Sequence, residues 1–142
     1  GADSVRRKQI YDIILRDYIE YPRTILISSH LLSEMENILA NICMIGAGQI
    51  LYNGDVDEMK HKAFKVKGTR QQVTEFVKDK KVIFKQLCET NNIAVVEEDY
   101  NKTVMEEIKD KGLIAERLTA EEFYMYRTTV NLGEDLEKLW EK

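Results

Sequence analysis

A short apolar run that leads directly into a histidine and then a helical pattern is the feature that most constrains this fold. Residues 24–28 are apolar on both faces, which is typical of a central strand covered by helices. Apolar residues over 31–39 then recur at the spacing of a helix with one apolar face. His30 therefore lies at the predicted strand's carboxyl end, where open α/β sheets bind ligands.

The elements around this run predict an α/β unit over residues 1–62. A helix over 5–18 is capped by Asp3 or Ser4, and Pro22 prevents its continuation. Two short strands joined at "GAG" form a hairpin, and a short helix follows it. The apolar face of the first helix consists of Ile10, Ile13, Ile14 and Tyr18.

A second unit is predicted over residues 63–142, where the elements follow the order β-α-β-β-α-β. This order is the split βαβ, or ferredoxin-like, arrangement of an α+β domain. Gly112 is suited to end the second helix. Its two helices face inward through Val73, Phe76, Val77, Val104, Met105 and Ile108. A final helix presents a narrow apolar stripe that we expect to dock on the domain: Leu132, Leu136, Leu139 and Trp140.

Composition narrows the class of protein. Of the 142 residues, 44% are hydrophobic and 32% charged, which is the balance of a soluble globular protein. No apolar run approaches the roughly 18–20 residues that cross a bilayer, and the polar start "GADSVRRKQIYD" is no signal peptide. Cys43 and Cys88 lack a partner at metal or redox spacing, so we expect buried free thiols in a reducing cytoplasm.

Charge is distributed unevenly in the second half of the chain. Residues 60–88 hold nine Lys/Arg and two Asp/Glu, whereas residues 89–142 hold seven and fourteen. One interpretation is a basic face for RNA or anionic lipid. The other is internal compensation, with Lys65 and Lys67 beside the acidic run 97–99 on a neighbouring strand. We favour compensation and predict no nucleic-acid partner, because the basic run lacks interleaved aromatic residues.

Three stretches carry a resemblance to a known family: "GADSVRRKQIYDIIL", "RTILISSHLLSEMENI" and "NICMIGAGQILYNG". Together they resemble the end of the nucleotide-binding domain of an ABC transporter ATPase, a P-loop NTPase. Gly1-Ala2-Asp3-Ser4 stands where that family has its D-loop, and His30 stands at its switch histidine, the H-loop. Ala2 and Ser4 depart from the family's usual Leu and Pro.

The resemblance implies roles for three residues. His30 is the catalytic switch residue that contacts the γ-phosphate of ATP and the attacking water. Asp3 reaches across an ATP-sandwich dimer, and Ser29 either orients His30 or only caps the next helix. His61, in a polar helix, is interpreted as a solvated surface residue.

The motifs that hold phosphates in this family do not occur in the sequence. No glycine is followed by lysine, and neither a Walker B carboxylate nor an "SGGQ" signature is found. We therefore expect a C-terminal fragment that starts at the D-loop and does not hydrolyse ATP alone.

The whole protein is expected to be the ATPase subunit of a bacterial ABC transporter, an exporter, with ATP and Mg²⁺ as cofactors. It would form a homodimer with a second ATP-binding subunit and join a membrane-embedded permease at the inner face of the cell membrane. Residues 117–129 resemble the ending of the appended domains of such exporters, which implies a regulatory or dimer-stabilising role for residues 63–142.

Two rival functions remain open at this level. One is a stand-alone regulatory or protein-interaction module without nucleotide chemistry, and the other is a basic RNA-binding domain.

A further expectation is self-association of the chain. The strand over 24–28 has too few predicted neighbours, and an unpaired apolar edge templates association between chains.

Overall fold

The computed structural model describes residues 2–129, and the predicted stripe at 132–140 lies outside them. The fold is mixed α/β with two antiparallel sheets. The chain divides into two compact units, Gly1–Leu39 and Ala40–Lys142. The hairpin that follows the histidine segment thus groups with the second unit.

The first unit consists of two helices joined by an irregular segment. They are α1 (Ala2–Glu20) and α2 (Leu32–Met35), the latter followed by a 3-10 turn, Glu36–Ile38. Because α1 begins at Ala2, Asp3 and Ser4 lie inside its first turn, and the prediction that either residue caps the helix is wrong. Asp3 there still complements the positive end of the helix dipole.

The predicted strand over residues 24–28 does not form. Residues 22–29 carry no helix or strand, and Leu26 is 96% exposed. A β-strand needs a neighbour for its backbone N–H and C=O groups, and no strand of residues 2–129 pairs with this segment. High β-propensity alone does not replace that partner.

The second unit begins with a hairpin, β1 (Asn41–Gly46) and β2 (Gln49–Asp55), as the sequence predicts. Its turn holds Ala47 at φ 51° and Gly48 at φ 74°, the left-handed conformation that tight two-residue hairpins use. The Asp55 carboxylate then accepts hydrogen bonds from the backbone N–H groups of Asp57 and Glu58 and caps α3 (Val56–His61).

The larger sheet follows, and its elements occur in the predicted order β-α-β-β-α-β. The strand order is β4-β5-β3-β6, and every adjacent pair is antiparallel. The elements are β3 (Phe64–Gly68), α4 (Arg70–Phe76), β4 (Val82–Gln86), β5 (Asn92–Val96), α5 (Lys102–Asp110) and β6 (Ile114–Arg117). Residues 120–129 are helical and are called α6 here.

Helices α4 and α5 cover one face of this sheet. Alternate residues of β3 and β5 join the inward residues of both helices in one buried cluster. The predicted core residues of α4 and α5 are buried except Met105, which is 47% exposed. Val104 and Ile108 form the buried stripe at i, i+4 spacing, and Met105 falls beside it. Gly112, with φ 72°, ends α5 as predicted.

Helix α6 covers the opposite face of the sheet. The ring centroids of Phe84 on β4 and Tyr126 lie 4.9 Å apart. The Tyr124 hydroxyl donates a hydrogen bond to the Ile45 carbonyl, 3.2 Å away, so the hairpin also contacts α6. Helices therefore cover the central strands β3 and β5 on both faces.

Two predictions about individual side chains are wrong. Cys43 and Cys88 are free thiols, but both are exposed. Burial alternates along β1, with Ile42 and Met44 inward and Cys43 outward, whereas Cys88 lies beyond the end of β4.

No helix of residues 2–129 combines the length and the apolar character that crossing a bilayer requires.

Candidate functional site

The three residues predicted to carry function lie in the first unit, and all are exposed. His30 occupies a bend just before α2, with Ser29 beside it, and Asp3 lies in the first turn of α1. Because residues 22–29 are not a strand, His30 lies at the entrance to a helix and not at a sheet edge. The structure records no contact that joins Asp3 to either of the other two residues.

Ser29 has a defined local contact. Its hydroxyl oxygen accepts a hydrogen bond from the Leu31 backbone N–H at 3.0 Å. This two-residue bridge is a serine turn, which holds the backbone around His30 as the chain enters α2. Leu31 occupies the cap position but its side chain makes no cap hydrogen bond. The Ser29 hydroxyl, two residues earlier, accepts from the Leu31 N–H instead.

A charged cluster joins the start of α1 to α2, and we call it the Arg7–Glu34 clasp. The Glu34 carboxylate accepts from Arg7 Nε at 2.9 Å and from Arg7 Nη2 at 3.0 Å. The Ser4 hydroxyl donates to the same carboxylate at 3.2 Å. A two-pronged arginine–carboxylate pair fixes orientation as well as distance. Sequence reasoning missed this clasp because residues 27 positions apart leave no periodic signal.

The clasp shifts the pKa values of both partners. The hydrogen bond from Arg7 lowers the pKa of the Glu34 carboxyl below its ordinary value, against a smaller opposing effect of desolvation. The bond to Glu34 in turn raises the pKa of the Arg7 guanidinium. Both groups are charged at neutral pH, so the clasp is an ion pair under ordinary conditions.

The clasp brings the elements that carry the predicted residues into a fixed relation. Asp3 directly precedes Ser4, and His30 lies four residues before Glu34. Within residues 2–129, no hydrogen bond or ion pair engages the His30 side chain. An exposed imidazole can donate a hydrogen bond to an anionic oxygen whether it is neutral or charged. In the same range, no group of three His, Cys, Asp or Glu residues forms a metal site.

The second unit contains two cations that are almost fully buried. The Lys65 side chain is 11% exposed and lies 3.1 Å from Glu122 and 3.4 Å from Glu116. The Lys80 side chain is 7% exposed and lies 3.1 Å from Glu107 and 3.3 Å from Glu98. Burial lowers the pKa of each ammonium group, but the hydrogen bonds to carboxylates outweigh it and leave both pKa values raised.

These pairs bear on the uneven charge distribution. At least four basic side chains of residues 60–88 are paired with carboxylates: Lys65, Lys67, Lys80 and Lys81. The partners of Lys65 and Lys67 are not the run 97–99, as predicted, but Glu116 on β6 and, for Lys65, Glu122 on α6. The pairing favours internal compensation over a basic binding face.

Comparisons with protein families, with curated proteins and with solved structures find no significant match to this chain. The candidate site is therefore described from the residues of this chain alone. It offers an exposed imidazole at a helix entrance, a serine that holds that entrance, and an aspartate on a helix joined to it by the clasp.

Proposed function

We propose that this chain is the C-terminal part of the ATP-binding subunit of a bacterial ABC transporter, an exporter. Residues 1–62 would then be the end of its P-loop NTPase domain, from the D-loop to the final hairpin. Residues 63–142 would be an accessory domain of the ferredoxin-like class. The whole subunit would hydrolyse ATP to drive transport by a separate permease.

One observation carries the proposal. An aspartate in the first turn of a long helix is followed by Ser28-Ser29-His30 directly before a second helix, and the clasp ties the two helices together. A structural histidine would normally be packed or hydrogen-bonded, whereas His30 is exposed and unengaged among the described residues. That state suits a group that waits for an anionic ligand.

The residues would divide the work as follows. His30 donates a hydrogen bond to the γ-phosphate and holds the attacking water in line, which is positioning more than covalent chemistry. Ser29 fixes the backbone at the helix entrance through its bond to the Leu31 N–H. Asp3 reaches the second subunit of an ATP-dependent homodimer. ATP and Mg²⁺ would be held chiefly by the P-loop and Walker B residues of the whole subunit.

The accessory domain supports a regulatory role in this proposal. Its element order and its strand order β4-β5-β3-β6 suit the ferredoxin-like class. Helix α6 occupies the sheet face that such domains often leave open to a ligand, through contacts such as Phe84–Tyr126. A domain whose central strands are covered on both faces is suited to the regulatory or dimer-stabilising role that this proposal gives it. The subunit itself would act at the inner face of the cell membrane, bound to its permease.

The test is ATP turnover by the complete gene product with His30→Ala. We expect kcat to fall about 100-fold or more with ATP binding little changed, because the lost interaction acts in the transition state. His61→Ala is the matched control, since His61 is the other histidine and is exposed on α3. Equal turnover in all three proteins would remove the switch role from His30.

A second candidate is a regulatory or protein-interaction module without nucleotide chemistry. The observation that favours it is the self-contained core of the second unit, where Phe64, Val73 and Phe76 are fully buried. Such a core folds without nucleotide or permease. Absence of ATP turnover in the unmodified complete gene product, and in both variants, would favour this candidate.

A further inference from the structure

Helix α1 presents a regular line of exposed residues that the clasp does not use and that shares only Asp3 with the candidate site. The line repeats at alternating steps of three and four residues, which is the a/d spacing of a coiled-coil seam. Ile10 and Ile13 form its centre and are 54% and 65% exposed. The members of this α1 seam, all exposed, are Asp3, Arg6, Ile10, Ile13, Asp17 and Glu20.

The α1 seam is complementary to its own reverse. When two identical helices pair antiparallel, each a position of one helix faces a d position of the other. The residue numbers of every facing pair therefore add up to the same value. Ile10 then faces Ile13 of a second copy, and Arg6 faces Asp17 of that copy. A two-fold axis repeats each of these contacts, as in any isologous interface.

We propose that a second copy of this chain docks on α1 through the seam, with the two helices antiparallel. The isoleucines form the apolar centre, and the Arg6–Asp17 pairs flank it on both sides. This association goes beyond the proposed function, because it needs neither nucleotide nor His30. It also differs from pairing through the segment 24–28.

Charge selects this occupant and this orientation. Parallel docking would place Arg6 against Arg6 and Asp17 against Asp17, and like charges at such positions are unfavourable. Antiparallel docking makes both pairs attractive. Asp17 binds Arg23 of its own chain through Oδ2, so its Oδ1 is available to Arg6 of the second copy. An unrelated partner would have no reason to reproduce the reversed charge order.

The same geometry limits the strength of the dimer. A single pair of 19-residue helices buries less than the roughly 1,200 Å² of stable complexes, so the dimer is transient. The outermost layer places Asp3 near Glu20 of the second copy, and these like charges weaken it further. Glu20→Lys replaces that repulsion with attraction and tightens the dimer about threefold.

Sedimentation equilibrium of this chain, without nucleotide and up to about 1 mM, tests the proposal. We expect concentration-dependent dimerisation that Arg6→Asp weakens about tenfold, since two attractive pairs become repulsive. The double variant Arg6→Asp/Asp17→Arg restores the two pairs between the copies and recovers the dimer, although it loses the Asp17–Arg23 pair within each chain. Lys8→Asp makes the same change in charge on the opposite side of α1 and leaves dimerisation unchanged.

Three results would overturn the proposal. One is a monomer at every concentration. Another is equal weakening by Arg6→Asp and Lys8→Asp, which would indicate a general effect of charge. The third is a dimer that is insensitive to Arg6→Asp but lost with Leu26→Asp, which would place the interface at the exposed segment 24–28. Recovery by the double variant excludes misfolding as the cause of the loss.

Discussion

The two units of this chain use their apolar residues in opposite ways. In the second unit, Phe64, Phe76 and Val96 are fully buried between helices and sheet. In the first, Ile19 is 69% exposed and Leu26 is 96% exposed. Helix α1 forms nonetheless, because 19 residues are long enough for a helix to be marginally stable and the Arg7–Glu34 clasp holds its first turns. The segment 22–29 forms neither a helix of its own nor a pair with another strand of residues 2–129, and it is irregular.

Polar contacts differ between the units in the same direction. Helices of the second unit begin at local caps, such as Thr69 before α4 and Asn101 before α5. Helix α2 of the first unit lacks a side-chain cap and depends on Ser29 and on the distant clasp. Local caps therefore define helix starts in the second unit, whereas α2 of the first unit depends on a contact with a distant residue.

The largest effect that tests this comparison is a cavity in the second unit. Phe64→Ala removes a ring that lies 5.2 Å from that of Tyr100 and 6.3 Å from that of Phe76, between centroids. We expect the free energy of unfolding to fall by about 3–5 kcal/mol in urea titrations followed by circular dichroism. Leu26→Ala in the first unit is the control and should change it by less than about 0.5 kcal/mol. Comparable losses in both variants would contradict the contrast between the units.

A buried cation gives the next effect. Lys80→Ala leaves the carboxylates of Glu98 and Glu107 partly buried without their shared partner, and we expect a loss of about 3 kcal/mol. Lys81 pairs with Glu97 at 3.0 Å, but its side chain is 73% exposed. Lys81→Ala should therefore cost less than about 1 kcal/mol in the same titration. If both variants lose the same stability, burial does not set the strength of these pairs.

Helix caps sharpen the comparison at a smaller scale. The Thr69 hydroxyl accepts from the Gln72 N–H at 3.2 Å, and the Gln72 side chain accepts from the Thr69 N–H at 2.9 Å. Thr69→Ala should destabilise the second unit by about 1 kcal/mol. Ser29→Ala should leave global stability unchanged and only speed amide hydrogen exchange at Leu31. A global loss from Ser29→Ala would mean that the first unit contributes to the stability of the whole chain.

The smallest effect concerns pH and the clasp. The folded-state pKa of Glu34 is below its ordinary value of 4.5, so the clasp's contribution is full above that value and is lost as pH falls through the folded pKa. Carbon-13 NMR of the Glu34 carboxyl should show this low pKa, with α2 amides exchanging faster below it. Arg7→Gln should return the pKa towards 4.5. An unchanged titration in Arg7→Gln would remove the clasp as its cause.

Most of the second unit was predictable from sequence. Apolar and charged residues alternate in sequence over 64–67, where β3 forms, and Gly112 marked the end of α5. Each of these signals lies within a few residues of the element that it specifies. The prediction that Met105 faces inward was wrong because Met105 lies at the edge of the apolar stripe of α5. Only the packing of the helix decides whether such a residue is buried or exposed.

The candidate site was predictable only as a set of residue types. The sequence marks His30, Ser29 and Asp3, and whether these residues serve nucleotide chemistry stays a prediction. The contacts around them did not follow from sequence, since Arg7 and Glu34 lie far apart in the chain. The partners of Lys65 were likewise assigned to the wrong acidic run, because β6 and α6, not the end of β5, approach its ammonium group.

The sequence by itself therefore determined the type and order of the helices and strands in the second unit, since periodicity and turn geometry act over a few residues. Tertiary structure alone decided the fate of residues 24–28, the exposure of Cys43 and the choice of ionic partners. The physical reason is that strand pairing, burial and ion pairing depend on groups brought together from distant positions. A run of β-forming residues becomes a strand only when another strand is present to receive its hydrogen bonds.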